Sequence, residues 1–166
     1  MRRSRLAIVP LLCWSLLGSA TAEAYCLEQS NPGERDQVGC ALGGADSTSL
    51  FWPGTCVGFR FSNVGVPFDF DLAQSIAARV FRDWMSPTTC LPSITVVPLE
   101  PTSNTKAEYN PSGPNENLIV FRDHGWENSA DLFAFTTLTF DQRTGAILDA
   151  DIELNSEAND FTPEML

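Results

Sequence analysis

Past its first two dozen residues, the sequence predicts an α/β domain. The expected core is a mixed, mostly parallel twisted sheet of about five strands, with one crossover helix and an antiparallel edge hairpin. Three observations carry this expectation. Alternation at 56–61 is followed by apolar residues at helical spacing over 71–84 and a β-branched run at 94–97, which together spell a right-handed parallel crossover. The continuous apolar run 117–121 reads as a strand buried on both faces. In the last third, 133–140 is β-branched and aromatic, 141–145 carries turn chemistry, and 146–155 returns with period two, which is a hairpin.

The chain begins with Arg2, Arg3 and Arg5, an apolar run from Leu6 to Leu17, and small residues from Gly18 to Ala22. This three-part pattern predicts a signal peptide cut after Ala22 or Ala24, so segment 1–22 or 1–24 is removed on export. A membrane anchor would need roughly 20 apolar residues, and no other stretch approaches that length. The expected product is secreted, extracellular or periplasmic, monomeric, and without a membrane partner. Cleavage after Ala22 removes three arginines and no acid, taking the net charge from −11 to −14. A surface that acidic repels nucleic acid and anionic membranes, while leaving calcium admissible because hard cations take oxygen ligands. The remaining length suits one domain with a single sizeable core.

Segment 25–54 is rich in Gly, Asn, Asp and Ser and reads as an irregular leader held by disulfides. Four cysteines survive cleavage, Cys26, Cys40, Cys56 and Cys90, an even number that predicts two bridges in an exported chain. Without a C-x-x-C pair, and with one histidine in the whole chain, a zinc-cysteine cluster is disfavoured. Four cysteines allow three pairings. Cys56 starts the first strand and Cys90 just precedes its parallel neighbour, so topology favours Cys56 with Cys90 and Cys26 with Cys40.

Asp71 with Gln74 resembles a capping box opening the helix. Ala73, Ile76, Ala77, Val80, Phe81 and Trp84 then paint one apolar stripe, which places Trp84 in the core, and the helix should end near Ser86 and Pro87. The proline- and asparagine-rich stretch 100–116 reads as a long surface loop. On the returning strand of the hairpin, Asp149, Asp151, Glu153 and Asn155 share one face, and Ala150, Ile152 and Leu154 the other. The apolar face is expected to meet the core and the acidic face to meet water or a cation. Asp149, Asp151 and Glu153 are therefore the calcium candidates, although alternating acids on an edge strand more often face solvent and block edge pairing.

Candidate chemistry is sparse. His124, in Arg122-Asp123-His124-Gly125-Trp126, comes just after the third strand, where functional loops often lie, but a lone histidine is more often structural or on the surface. Neither a G-x-S-x-G elbow nor a phosphate-binding glycine loop occurs.

The order of these elements, with Phe51-Trp52-Pro53 before Cys56, Ile119-Val120-Phe121, and the closing Thr139-Phe140-x4-Gly-x-Ile-x-Asp-Ala-Asp-Ile-Glu-Leu-Asn, resembles secreted bacterial metalloproteases of the matrixin type, members of the metzincin zinc proteases. The resemblance spans most of Cys26 to Asn155 and is sharpest from Thr139 to Asn155. It implies a metzincin-like N-terminal subdomain, a peptide or protein substrate, and zinc held by the three histidines of H-E-x-x-H-x-x-G-x-x-H, whose glutamate activates the bound water. That motif is absent from the 166 residues. No catalytic residue and no zinc ligand can be carried over, and segment 55–166 is expected to be an incomplete metalloprotease-like domain, truncated, inactive and exposing apolar surface. Two other classes remain open: a secreted non-enzymatic binding or inhibitor module, and a calcium-dependent adhesive domain resting on the acidic strip.

Overall fold

The computed structural model describes residues 27–36, 39–85 and 94–163; the signal segment, Cys26, Cys90, Ser86 and Pro87 lie outside them. Along the chain run β1 (Pro32–Arg35), β2 (Ala41–Gly43), β3 (Cys56–Phe61), α1 (Phe70–Trp84), β4 (Thr95–Pro98), β5 (Leu118–Arg122), β6 (Ala134–Phe140) and β7 (Ile147–Asn155). The last five strands form one sheet in the order β4-β3-β5-β7-β6. β3 is parallel to both β4 and β5, β5 is parallel to β7, and only β6 runs antiparallel, against β7. The α/β class, the crossover and the edge hairpin thus stand as expected.

The leader is more regular than its composition suggests. β1 and β2 make a small antiparallel sheet of their own, interrupted by an irregularity in register. Leader residues also reach the main sheet: Phe51 bridges Ala146 in parallel, donating its N–H to the Gly145 carbonyl at 3.0 Å and accepting from Ile147 at 2.9 Å. Gly145 is required there. Its φ is +78°, and a Cβ would stand 2.4 Å from the Ser49 carbonyl oxygen.

Cys56 pairs in register with Thr95, so β3 and β4 begin at the same sheet edge, as the crossover demands. Cys56 is an exposed free thiol, and Cys40 is disulfide-bonded. The expected Cys56–Cys90 bridge is therefore not formed, since the Cys56 thiol is free, whereas with Cys26 outside the described residues the Cys26–Cys40 pairing stays a proposal.

The helix starts two residues earlier than the capping-box pattern predicts. Asp69 is the N-cap, its side chain accepting from the Leu72 N–H at 2.9 Å, while Asp71 sits in the first turn, where its charge favours the helix dipole. Ala73 and Ile76 are buried, and Ala77 and Phe81 pack half-buried against Phe59, Phe61, Ile119 and Phe121. Rings tie this core together. Phe59 meets Phe81 with centroids 4.9 Å apart, and Phe121 contacts Phe61, Phe68 and Phe161 at 5.4 to 6.1 Å. Trp84 is not in the core: it is the last helical residue and 70% exposed. Helical periodicity gave its azimuth correctly, but the apolar stripe outruns the surface it packs on.

The acidic face of β7 departs furthest from expectation. β7 is interior to the sheet and the edge belongs to β6, so the acids do not guard an edge. Asp149, Asp151 and Asn155 are 3%, 1% and 0% exposed. Loops roof this face: Arg122 Nη1 donates to the Thr105 carbonyl at 2.6 Å, and Asn155 Nδ2 donates to the Leu132 carbonyl at 2.9 Å. Polar loops thus cover the acidic face of β7, while α1 covers part of the opposite face. Among the described residues, no helix is long and apolar enough to cross a membrane.

Candidate functional site

Three features of the β5-β7-β6 side of the sheet concern function: a polar network on the loop face, an apolar groove on the helix face, and the outer edge of β6. The network begins where β5 begins. β3 meets β5 only from Arg60 opposite Leu118, and β5 meets β7 only from Ile119 opposite Ile152. Just before that point Asn117 stands in for the missing strand. Its Nδ2 donates to the Gly58 carbonyl at 2.8 Å, its Oδ1 accepts from the Ala150 N–H at 3.0 Å, and its own carbonyl accepts from the Arg60 N–H at 2.8 Å. A side-chain amide carries the same donor and acceptor as a peptide, which is why asparagine closes the gap.

Asp151 continues the closure, its Oδ1 accepting the Leu118 N–H at 2.9 Å. Glu153 pairs with Arg122 across the β5–β7 boundary. Asn155 anchors the chain on both sides of the hairpin: besides holding Leu132, it donates to the Ala130 carbonyl at 3.3 Å and accepts from the Ala158 N–H at 3.1 Å. Trp126 is tied in as well, its N–H donating to Glu157 Oε2 at 2.7 Å and its Nε1 to the Ser129 carbonyl at 2.9 Å. Together these bonds set where the chain turns into β6.

Asp149 is the exception. Its Oδ1 is buried with no hydrogen-bond partner, and burial, together with the neighbouring Asp151 charge, pushes its carboxyl up to about 6. Burial also raises Asp151, against the lowering effect of the Leu118 amide. The calcium candidates are therefore distributed among protein partners, with Asp151 on an amide and Glu153 on a guanidinium. Among the described residues, no group of three or more His, Cys, Asp or Glu side chains could hold a metal ion. His124 is exposed, with Nδ1 2.5 Å from Asp123 Oδ1. It stands in the surface loop that follows β5.

On the helix face, Ile152 and Leu154 join Phe61, Ile119, Phe121 and the α1 residues Ala73, Ile76, Ala77 and Val80 in lining an apolar groove of about 180 Å³. Val80 is 40% exposed. α1 covers the β3 side of this face, and Phe161, beyond β7, packs on Phe121 without filling the groove. The edge is the third feature. β6 ends the sheet, Phe133 and Phe135 are 57% and 41% exposed beside it, and Ala134 and Thr136 are also exposed.

The sequence singled out Asp149, Asp151 and Glu153 for a cation, and the structure gives the latter two structural partners instead. It did not single out Asn117, Arg122 or Asn155 as organising residues. Arg122 carried a signal, a charge closing a buried strand in a chain whose acids sit on a facing strand. Asn117 carried none, because an asparagine before an apolar run is ordinary loop chemistry. Comparison of the chain with family models, curated proteins and solved structures finds no match.

Proposed function

We propose that this chain is the sheet-bearing N-terminal part of a secreted, matrixin-like zinc metallopeptidase, and that its contribution to function is a platform on which a peptide substrate lies. The observation that carries the reading is the outer edge of β6, antiparallel, terminal and without a strand partner among the described residues, on a sheet whose helix face beside it is a half-covered apolar groove. An exposed edge recognises an extended peptide by completing the hydrogen-bond ladder, with alternate side chains setting preference. The groove is the kind of surface a second helix covers.

The residues present do not fit zinc. The lone histidine is exposed and no cluster of donors exists among the described residues, so no bond-breaking step is assigned to any side chain of this chain. On this reading the metal belongs to a histidine-bearing helix outside the 166 residues. Four retained cysteines and the leading arginine-plus-apolar segment support export.

The deciding experiment is to translate the coding DNA past Leu166 in all three frames. An H-E-x-x-H-x-x-G-x-x-H within a few dozen codons supports the metallopeptidase. Absence of that motif, together with a monomeric, cooperatively unfolding chain, overturns it in favour of a secreted binding or inhibitor module that uses the same β6 edge.

A further inference from the structure

β6 runs from Ala134 to Phe140 without a charge, a proline or a glycine, and among the described residues no strand pairs with its outer side. Edge strands are commonly guarded by lysine, proline or an inward charge, because open N–H and C=O groups recruit another strand. The ladder shows which groups are open here. Asn155 donates its N–H to the Phe133 carbonyl, and the register sets Ala134 opposite Leu154, Phe135 opposite Glu153 and Thr137 opposite Asp151. Hydrogen-bonded and non-hydrogen-bonded pairs alternate in an antiparallel ladder. Phe133, Phe135 and Thr137 therefore turn their backbone groups to β7, and Ala134, Thr136 and Leu138 turn theirs outward. Ala150, opposite Leu138, agrees: its N–H points away from β6, to Asn117 Oδ1.

Side chains alternate with the same period. Phe133 and Phe135 fall on the loop face, beside Asn155 and Glu153, and both are exposed, whereas Ala134 and Thr136 on the other face are small. A strand added at this edge meets two open rings, two residues apart, on one side. Charge narrows the choice further. Asp131 is exposed just ahead of the strand, Asp141 follows its far end, and the full chain carries −11.

We propose that Phe133, Phe135 and Asp131 are the specificity-determining residues of the β6 edge, and that its ligand is an extended basic peptide whose bulky apolar side chains, two residues apart, lie on the two rings. The proposal rests on the peptide-platform reading and adds the class of peptide. Cross-strand aromatic and β-branched pairs stabilise such an added strand, and opposite net charge draws it in. A second copy of the chain fits the edge less well. The antiparallel self-pairing that uses all three open residues is centred on Thr136, and it sets Asp131 of one copy by Asp141 of the other, on chains of like net charge.

The test uses the full chain, amide NMR and a blocked peptide, Lys-Phe-Thr-Val-Thr-Lys. It is N-methylated at the valine, whose N–H faces away from β6, so that it cannot stack on itself. A reordered isomer, Lys-Phe-Val-Thr-Thr-Lys, and a form with glutamate in place of both lysines are the comparisons. Binding should shift the Ala134, Thr136 and Leu138 amides and slow their exchange, while exchange at Phe135 and Thr137 stays as it was. The alternating peptide should bind about three- to fivefold more tightly than its isomer. The glutamate form should bind more weakly than the lysine form, and about 0.5 M salt should weaken the lysine form. Replacing both rings, Phe133→Ser with Phe135→Ser, should abolish the preference for alternating order.

Isomers that reach these amides with equal affinity, or a glutamate form that binds as well as the lysine form, overturn the proposal and leave the edge platform standing. No peptide at these amides, or unaltered binding in Thr136→Pro, which loses an outward N–H, overturns the platform as well. Dimers joined through these amides make a second copy the ligand and overturn the proposal. Should the double variant not fold, the isomer comparison on the wild type decides by itself.

Discussion

Replacing Asn117 with alanine removes the one side chain that bridges β3 and β7 where β5 has not yet begun. Two hydrogen bonds disappear, from Nδ2 to the Gly58 carbonyl and from the Ala150 N–H to Oδ1, leaving one acceptor and one donor without their partners. An unsatisfied group in a buried setting costs about 1–3 kcal/mol. Asn117 is half-buried, so water can reach part of the gap, and the expected loss is about 2–4 kcal/mol. Set against the roughly 5–15 kcal/mol that holds a domain of this size, that is a large fraction. Urea unfolding followed by tryptophan fluorescence measures it, with an unchanged slope showing that the denatured state is unaffected. Asn117→Asp sharpens the test: it keeps the acceptor for Ala150 but sets a carboxylate oxygen against the Gly58 carbonyl, so it should be destabilised too. Amide exchange at Ala150 should quicken in the alanine variant. A loss under about 0.5 kcal/mol, with Ala150 exchange unchanged, would refute the strand-surrogate role.

Gly145→Ala should cost several kcal/mol, because a positive φ and a Cβ 2.4 Å from the Ser49 carbonyl must both be relieved. A lower Tm with faster proteolysis between the leader and β3 checks that the Phe51 bridge is what gives way. Asp69→Ala should cost about 1 kcal/mol through loss of the N-cap, whereas Asp71→Ala should cost less, a contrast that thermal unfolding can read.

The sheet was legible because its strands announce themselves. β5 is Leu-Ile-Val-Phe-Arg, and in the β6–β7 hairpin Asp141 caps its own turn by accepting from Arg143 at 2.9 Å and Thr144 at 2.8 Å. The features that escaped the sequence were decided by distance. Asp69 and Asp71 both precede Leu72, and only the fold shows which carboxylate reaches its amide. β1 and β2 hid behind proline and glycine, being four and three residues long. Trp84 shows the limit of periodicity, which gives a side chain's direction but not whether anything lies opposite.

The acidic face of β7 shows a deeper limit. Alternation of acid and apolar residues has the same sequence whether the polar side meets water or a roof of loops, because the pattern records polarity and not solvent. The outcome turns on whether each buried polar group finds a partner. Asp151 finds the Leu118 amide, Glu153 finds Arg122, and Asn155 finds Ala130, Leu132 and Ala158. Apart from Ala158, in the turn just after β7, those partners lie 23 to 33 residues away in the chain, beyond the reach of a local pattern. Asp149 alone among these acids is left over. The unmet cost among these acids is therefore concentrated at one carboxyl. Because the same network ends at Leu132 and Phe133, the geometry of the β6 edge is coupled to it. The peptide platform proposed above would need its edge held in place, and the polar side of β7 holds the start of β6.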